Sequence, residues 1–213
     1  MRGVSVAQGG REPAYSTAEG EAGVRAAREV VEAAVAGRGK APPLNLPESF
    51  ESRAGVFTTL TSHPSGKLRG CIGFAEPIMP LKEALATSAR AAALEDGRFA
   101  PVTKEELGAI LVEVSLLTPP KPIAVRRPDD RVNEVVVGRH GLIVRKGRRG
   151  GLLLPQVATD WEWDAEEFLE HTCEKGGYEP DFWKSEEATV LYFEAEVFGE
   201  VEPRGEVQRH DGR

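Results

Sequence analysis

At 213 residues, with 40% hydrophobic and 29% charged positions, the chain can bury one sizeable core, or two small, intimately packed lobes, as a globular protein. No apolar run approaches the ~20 residues of a membrane span, and the opening MRGVSVAQGGREP has no signal-peptide apolar stretch, so a cytoplasmic protein without a membrane segment is expected. A net charge of -7 disfavours a nucleic-acid binder, which needs a basic surface to displace counterions from phosphates.

The two cysteines, Cys71 and Cys173, are too few for a disulfide framework and lack zinc-finger spacing, so no metal is expected; a single bridge between them stays open. Asn, Gln, Cys and Met are scarce, as in thermophile proteins, although GC-rich coding also produces an excess of Arg over Lys.

Residues 1–15 and 203–213 are polar and aperiodic, and both ends are expected to fray around one domain over 16–202. Ser16 or Thr17 caps a helix running to Gly37, with Val24, Ala27, Val31, Ala34 and Val35 as its apolar stripe. Strands Gly55–Thr61 and Leu68–Phe74 form a hairpin about His63–Gly66. Pro80 opens an Ala-rich helix that reaches Glu95. Thr103 and Glu106 make a capping-box pattern, and Ile110–Leu117 alternates as a strand with Glu113 and Ser115 on its less buried face. Further strands are predicted at Val135–Val137, Gly141–Arg145, Gly151–Leu154 and Thr189–Phe198. A helix capped by Asp164 and Glu167 ends near Gly176. This mixture lacks the regular alternation of a doubly wound sheet, so the class is α+β, with a similar strand-strand-helix grammar in both halves.

Candidate chemistry centres on Leu68–Phe74, where Gly70 and Gly73 imply a bulge or a close approach of backbone or ligand. In a regular strand Arg69 and Cys71 share one face, roughly 7 Å apart. Arg69 is suited to a carboxylate or phosphate, or to an internal ion pair with Glu113 or Asp96. Cys71 beside a cation reads as a nucleophile, or as a small buried hydrophobe. His140 is the candidate general base or metal ligand, and Gln156 a pocket-lining residue at a strand end. Asp96 and Arg98 read as a turn lock. His63 and His210 look solvent-exposed.

GVFTTL (55–60), LRGCIGF (68–74), DGRFAPV (96–102), VEVSLLTPP (112–120), GRHGLIV (138–144) and LLLPQVA (152–158), in that order, resemble the AMMECR1 family, with LRGCIG as its hallmark. The resemblance covers about Thr17 to Glu202. It implies a mixed, barrel-like β-sheet with flanking helices and two lobes sharing a cleft near the hallmark. It implies no established activity or cofactor, and it suggests Memo-like and radical-SAM proteins as companions. The combined expectation is a cleft that binds a small anionic ligand through Arg69, Cys71, Gly70 and Gly73, with Glu113, Ser115, His140 and Gln156 nearby. It serves an enzyme acting on a metabolite or a modified nucleotide or amino acid, or else a non-catalytic adaptor for the companions.

Overall fold

The computed structural model describes residues 13–37 and 43–210. Helix α1 (Thr17–Val35) begins at a reciprocal capping box: the Glu19 N–H donates to the Ser16 hydroxyl and the Ser16 N–H to the Glu19 carboxylate. Its buried stripe, Val24, Ala27, Val30 and Val31, joins α2 (Leu81–Leu94) in a core laid on β1 (Val56–Ser62), β2 (Lys67–Phe74) and β3 (Ile110–Leu117). A second core sets α4 (Ala165–Lys175) and the short α3 (Pro155–Asp160) against β5 (His140–Lys146) and β7 (Thr189–Glu200), with β6 (Arg149–Leu153) completing that hairpin.

The strands form one antiparallel sheet in the order β2-β1-β3-β7-β5-β6; β4 (Lys121–Pro122) and β8 (Val207–His210) also pair with β7. Each half is thus a hairpin, a helix and a strand returning beside the hairpin's first arm. The shared grammar of the sequence is realised in strand order.

Long β7 joins the halves and fixes which side is which. Val190 and Tyr192 pack into the second core and Phe198 into the first, while Ala195 and Val197, of opposite parity, face away from the helices. The sheet curls as a half-barrel with helices on one side and an open concavity on the other.

A buried ion pair ties α1 to this frame. Arg28 and Glu200 side chains are 7% and 4% exposed; Arg28 also donates to the Ile110 carbonyl at 2.7 Å, and Glu200 accepts the Val112 N–H at 2.9 Å. Every charge-bearing atom has a partner, which is what burial of such a pair requires.

Several expectations change. Val135–Val137 is not a strand: it follows a 3-10 helix, Pro128–Glu134, and turns into β5 through Gly138 at φ 80°. Val135 is buried there, so its apolar signal was real but served packing. The turn between β5 and β6 is tighter than predicted, with Lys146 paired to Arg149. Most of the N-terminal stretch expected to be flexible lies outside the described residues, but Tyr15 is buried, its hydroxyl donating to the Leu117 carbonyl at 3.2 Å.

The C-terminal stretch also differs from expectation, because β8 pairs with β7 over Val207–His210. Val207 packs on the first core, and charged contacts add to the strand pairing. Arg204 pairs with Glu32 at 2.7 Å, and Arg209 pairs with Glu196 at 2.7 Å while its guanidinium lies 4.6 Å over the Phe198 ring.

Candidate functional site

The concave face carries two cross-strand rows. Cys71, Thr59, Glu113 and Gly199 are successive partners on β2, β1, β3 and β7; Gly73, Phe57, Ser115, Val197 and His210 form the next row, ending on β8. Directly paired residues of an antiparallel sheet share a face, so the pairing itself brings these side chains together. Opposite them lie Gly138 and Arg139 from the entry to β5, Leu154, and Pro155 and Gln156 at the start of α3. Together they enclose a cavity of about 600 Å³.

Of the residues singled out in the sequence, Cys71, Glu113, Ser115 and Gln156 line this cavity. Gly73 belongs to the same face and makes room for its partner Phe57, whose ring atoms would lie 2.4 Å from an added Cβ. Arg69, Gly70 and His140 are elsewhere, each for a definite reason.

A register shift at Leu60/Thr61 leaves Arg69 as the extra residue of a β-bulge. It is therefore not beside Cys71 on a shared face. Its guanidinium meets Glu106, at 2.7 Å and 3.1 Å, instead of the Glu113 or Asp96 weighed from sequence. Glu106 also accepts the Thr103 N–H at 2.8 Å, as the capping pattern predicted, and the hydrogen bonds from Arg69, then that from Thr103, hold its carboxyl below the ordinary range. Gly70 faces α2, where an added Cβ would sit 2.1 Å from the Ala92 carbonyl oxygen.

His140 is buried behind the lining. The Val136 N–H donates to its Nδ1 at 3.1 Å, its ring lies tilted against Tyr192 with centroids 4.5 Å apart, and Nε2 lies 3.9 Å from Glu194. Its link to the cavity runs through Glu194, which is itself a lining residue and lies 3.3 Å from Arg139.

Cys71 is half-buried, with the Thr59 hydroxyl donating to its sulfur at 3.4 Å. Strands β1, β3 and β7 separate it from His210, so its neighbour is a hydroxyl and not a base. Its backbone is locked from behind: the Cys71 N–H donates to Asp96 at 2.8 Å, and Arg98 bonds the Cys71 carbonyl at 3.2 Å. Arg98 above all, then the Cys71 N–H, hold the Asp96 carboxyl well below the usual carboxylate range. The DGRF segment is thus the turn lock read from sequence, and the strand it locks is the one that presents the thiol. Cys173 is a separate free thiol buried in the second core, and burial pushes it up to about 11.

Sequence reading missed Phe57, Thr59, Arg139, Glu194 and His210. The alternation in GVFTTL, continued across the hairpin, places Phe57 and Thr59 on the face of Cys71; His210 had no periodic signal. Among the described residues no group of three or more His, Cys, Asp or Glu side chains is placed to hold a metal ion, and no helix is long and apolar enough to cross a membrane.

Fold and site together define an α+β protein whose curled sheet encloses a cavity of small-molecule size. The chain belongs to the AMMECR1 family, which it matches over residues 24–198. It is 50% identical over 189 residues to Protein MJ0810 of Methanocaldococcus jannaschii, covering 89% of this chain and 94% of that protein. It is also 50% identical over 194 residues to Protein PF1979 of Pyrococcus furiosus, covering 89% and 92%. The crystal structure of the uncharacterised protein PH0010 from Pyrococcus horikoshii superposes with a TM-score of 0.72 at 46% identity, covering 92% of this chain and 98% of that one.

Proposed function

We propose that the concave cavity binds a small polar metabolite, neutral or zwitterionic, that presents hydrogen-bond donors to its wall. The observation that carries this reading is the cavity itself. Its volume of about 600 Å³ falls within the roughly 300–1,000 Å³ of small-molecule sites, and apolar walls with a few placed polar groups are their usual lining. Phe57, Leu117 and Val197 supply the walls; Thr59, Ser115 and Gln156 supply hydrogen-bonding groups.

The charge balance narrows the expected ligand. Arg69, on which a purely anionic ligand rested, is committed to Glu106 outside the lining. Among the described residues two lining carboxylates, Glu113 and Glu194, stand against one lining guanidinium, Arg139, itself 3.3 Å from Glu194, and a carboxylate repels an anion while accepting from a hydroxyl or ammonium.

Cys71 provides a reporter, since it is half-buried on the cavity wall while Cys173 is fully buried with a raised pKa that suppresses its thiolate. N-ethylmaleimide modification of Cys71 is to be followed with amino acids and nucleosides as competitors. At least one class should slow it saturably, and Ser115→Trp, which fills the cavity, should abolish that protection. A modification rate unchanged by every class would overturn the reading.

A further inference from the structure

The last described residue, His210, comes from the stretch that sequence periodicity left blank, and it lies beyond residue 198, where the family match ends. Its position is built rather than incidental. On β8 successive side chains alternate, so Arg209 falls on the helix side and His210 on the cavity side. Arg209 secures the strand there through Glu196 at 2.7 Å and the Tyr15 carbonyl at 2.5 Å.

On the cavity side the imidazole rests on Gly199, where an added Cβ would be 2.9 Å from His210 Cε1. Its Nδ1 lies 3.1 Å from Glu113 Oε2.

An ionised carboxylate only accepts hydrogen bonds, so in a neutral ring this contact calls for the proton on Nδ1 and leaves Nε2 its lone pair. Among the described residues Nε2 makes no hydrogen bond, and the ring is about one-third exposed into the cavity. A carboxylate behind an imidazole is a common way to set tautomer and orientation.

We propose that His210 is a ligand-contacting residue, and that its Glu113-oriented Nε2 selects metabolites presenting a hydroxyl or amine donor. This rests on the ligand-binding reading of the cavity above. β8 thus completes the site from outside the family-matched segment, with Arg209 as the positioning residue that delivers it.

Two measurements test this separately from the cavity reading. The first is the ¹⁵N resonance pattern of the His210 ring in the full chain without ligand. A protonated Nδ1 and an unprotonated Nε2 are expected, with the preference lost in Glu113→Ala; an Nε2-protonated ring, or a pattern insensitive to Glu113→Ala, overturns the proposal. The second is Cys71 protection from N-ethylmaleimide by serine, threonine and adenosine, each with a hydroxyl donor. His210→Ala should weaken the protection about tenfold, the loss of one good hydrogen bond, and His210→Gln, which keeps an acceptor, should restore part of it. Protection equal in wild type and His210→Ala overturns the role of His210 and leaves the cavity reading standing. Absence of protection by all three in wild type as well as His210→Ala counts against donor selection, whatever the wider competitor set shows.

Discussion

The two halves of the sheet repeat one topology and even one packing device, yet they furnish the cavity differently. In the first, Gly70 on β2 lets α2 descend, so that an added Cβ would meet the Ala92 carbonyl oxygen at 2.1 Å; in the second, Gly151 on β6 does the same for α4, with the Thr172 carbonyl oxygen at 2.2 Å. Each glycine lies on the hairpin's second arm. Behind these matching hinges the contributions part: β1, β2 and β3 present side chains from their pleats, whereas in the second half only β7 does so, through Ala195 and Val197, and the rest comes as Arg139 from a turn and Leu154, Pro155 and Gln156 from a strand end. Topology and close packing are shared by the halves, and the chemistry is not.

The comparison breaks most severely if either hinge is filled. Gly70→Ala and Gly151→Ala each drive a Cβ into helix backbone, which has no rotamer with which to yield, so both should lose about 3 kcal/mol, the upper end for overpacking. Urea unfolding checks this; a loss in one variant alone would show that the resemblance between the halves is only topological.

Next comes the lock that, among the described residues, the first half alone carries. Asp96→Asn removes the charged acceptor of the Cys71 N–H and of Arg98, and should cost about 2 kcal/mol at neutral pH. The folded-state pKa of Asp96 is lowered, so its contribution is present above the unfolded value of about 3.9 and fades as pH falls below it. Wild type and Asp96→Asn should therefore converge in denaturant midpoint in acid. A gap that stays constant down to the acid limit would remove the carboxylate from the account.

Loosening β8 is milder. Arg209→Ala should cost about 1 kcal/mol, as expected of a partly exposed ion pair, and should raise amide exchange across Val207–His210 while leaving β3 protected. Smallest in stability is His210→Ala, whose partly exposed contact with Glu113 should be worth under about 1 kcal/mol. Its thermal midpoint should hardly move while ligand selection changes, which separates a binding role from a structural one.

Much of the frame was legible because local signals agreed with it. Ser16, one of the two caps read for the first helix, and Asp164 with Glu167 mark helix starts that form, and the alternation in Ile110–Leu117 placed Glu113 and Ser115 on the cavity face. Arg69 was misplaced because a bulge adds one residue to β2, and a shift of one residue moves side chains to the other face. Glu106 was read as a cap and is also the partner of Arg69. His210 was illegible for another reason: β8 is held by its pairing with β7 and by side-chain contacts of Arg209 with Glu196 and of His210 with Glu113, and Glu113 is far from it in sequence.

The central claim, that ligand is held on the concave face between the halves, is tested most directly by amide and methyl chemical-shift mapping. The uniformly labelled protein would be titrated with the compound that best protects Cys71. The account predicts perturbations concentrated on the two rows, from Cys71 and Thr59 through Ser115 to Val197 and His210, and on Arg139 and Gln156 opposite. Perturbations confined to the outer hollows, around Gly151 and Lys175 or around Tyr178 and Phe182, would contradict it.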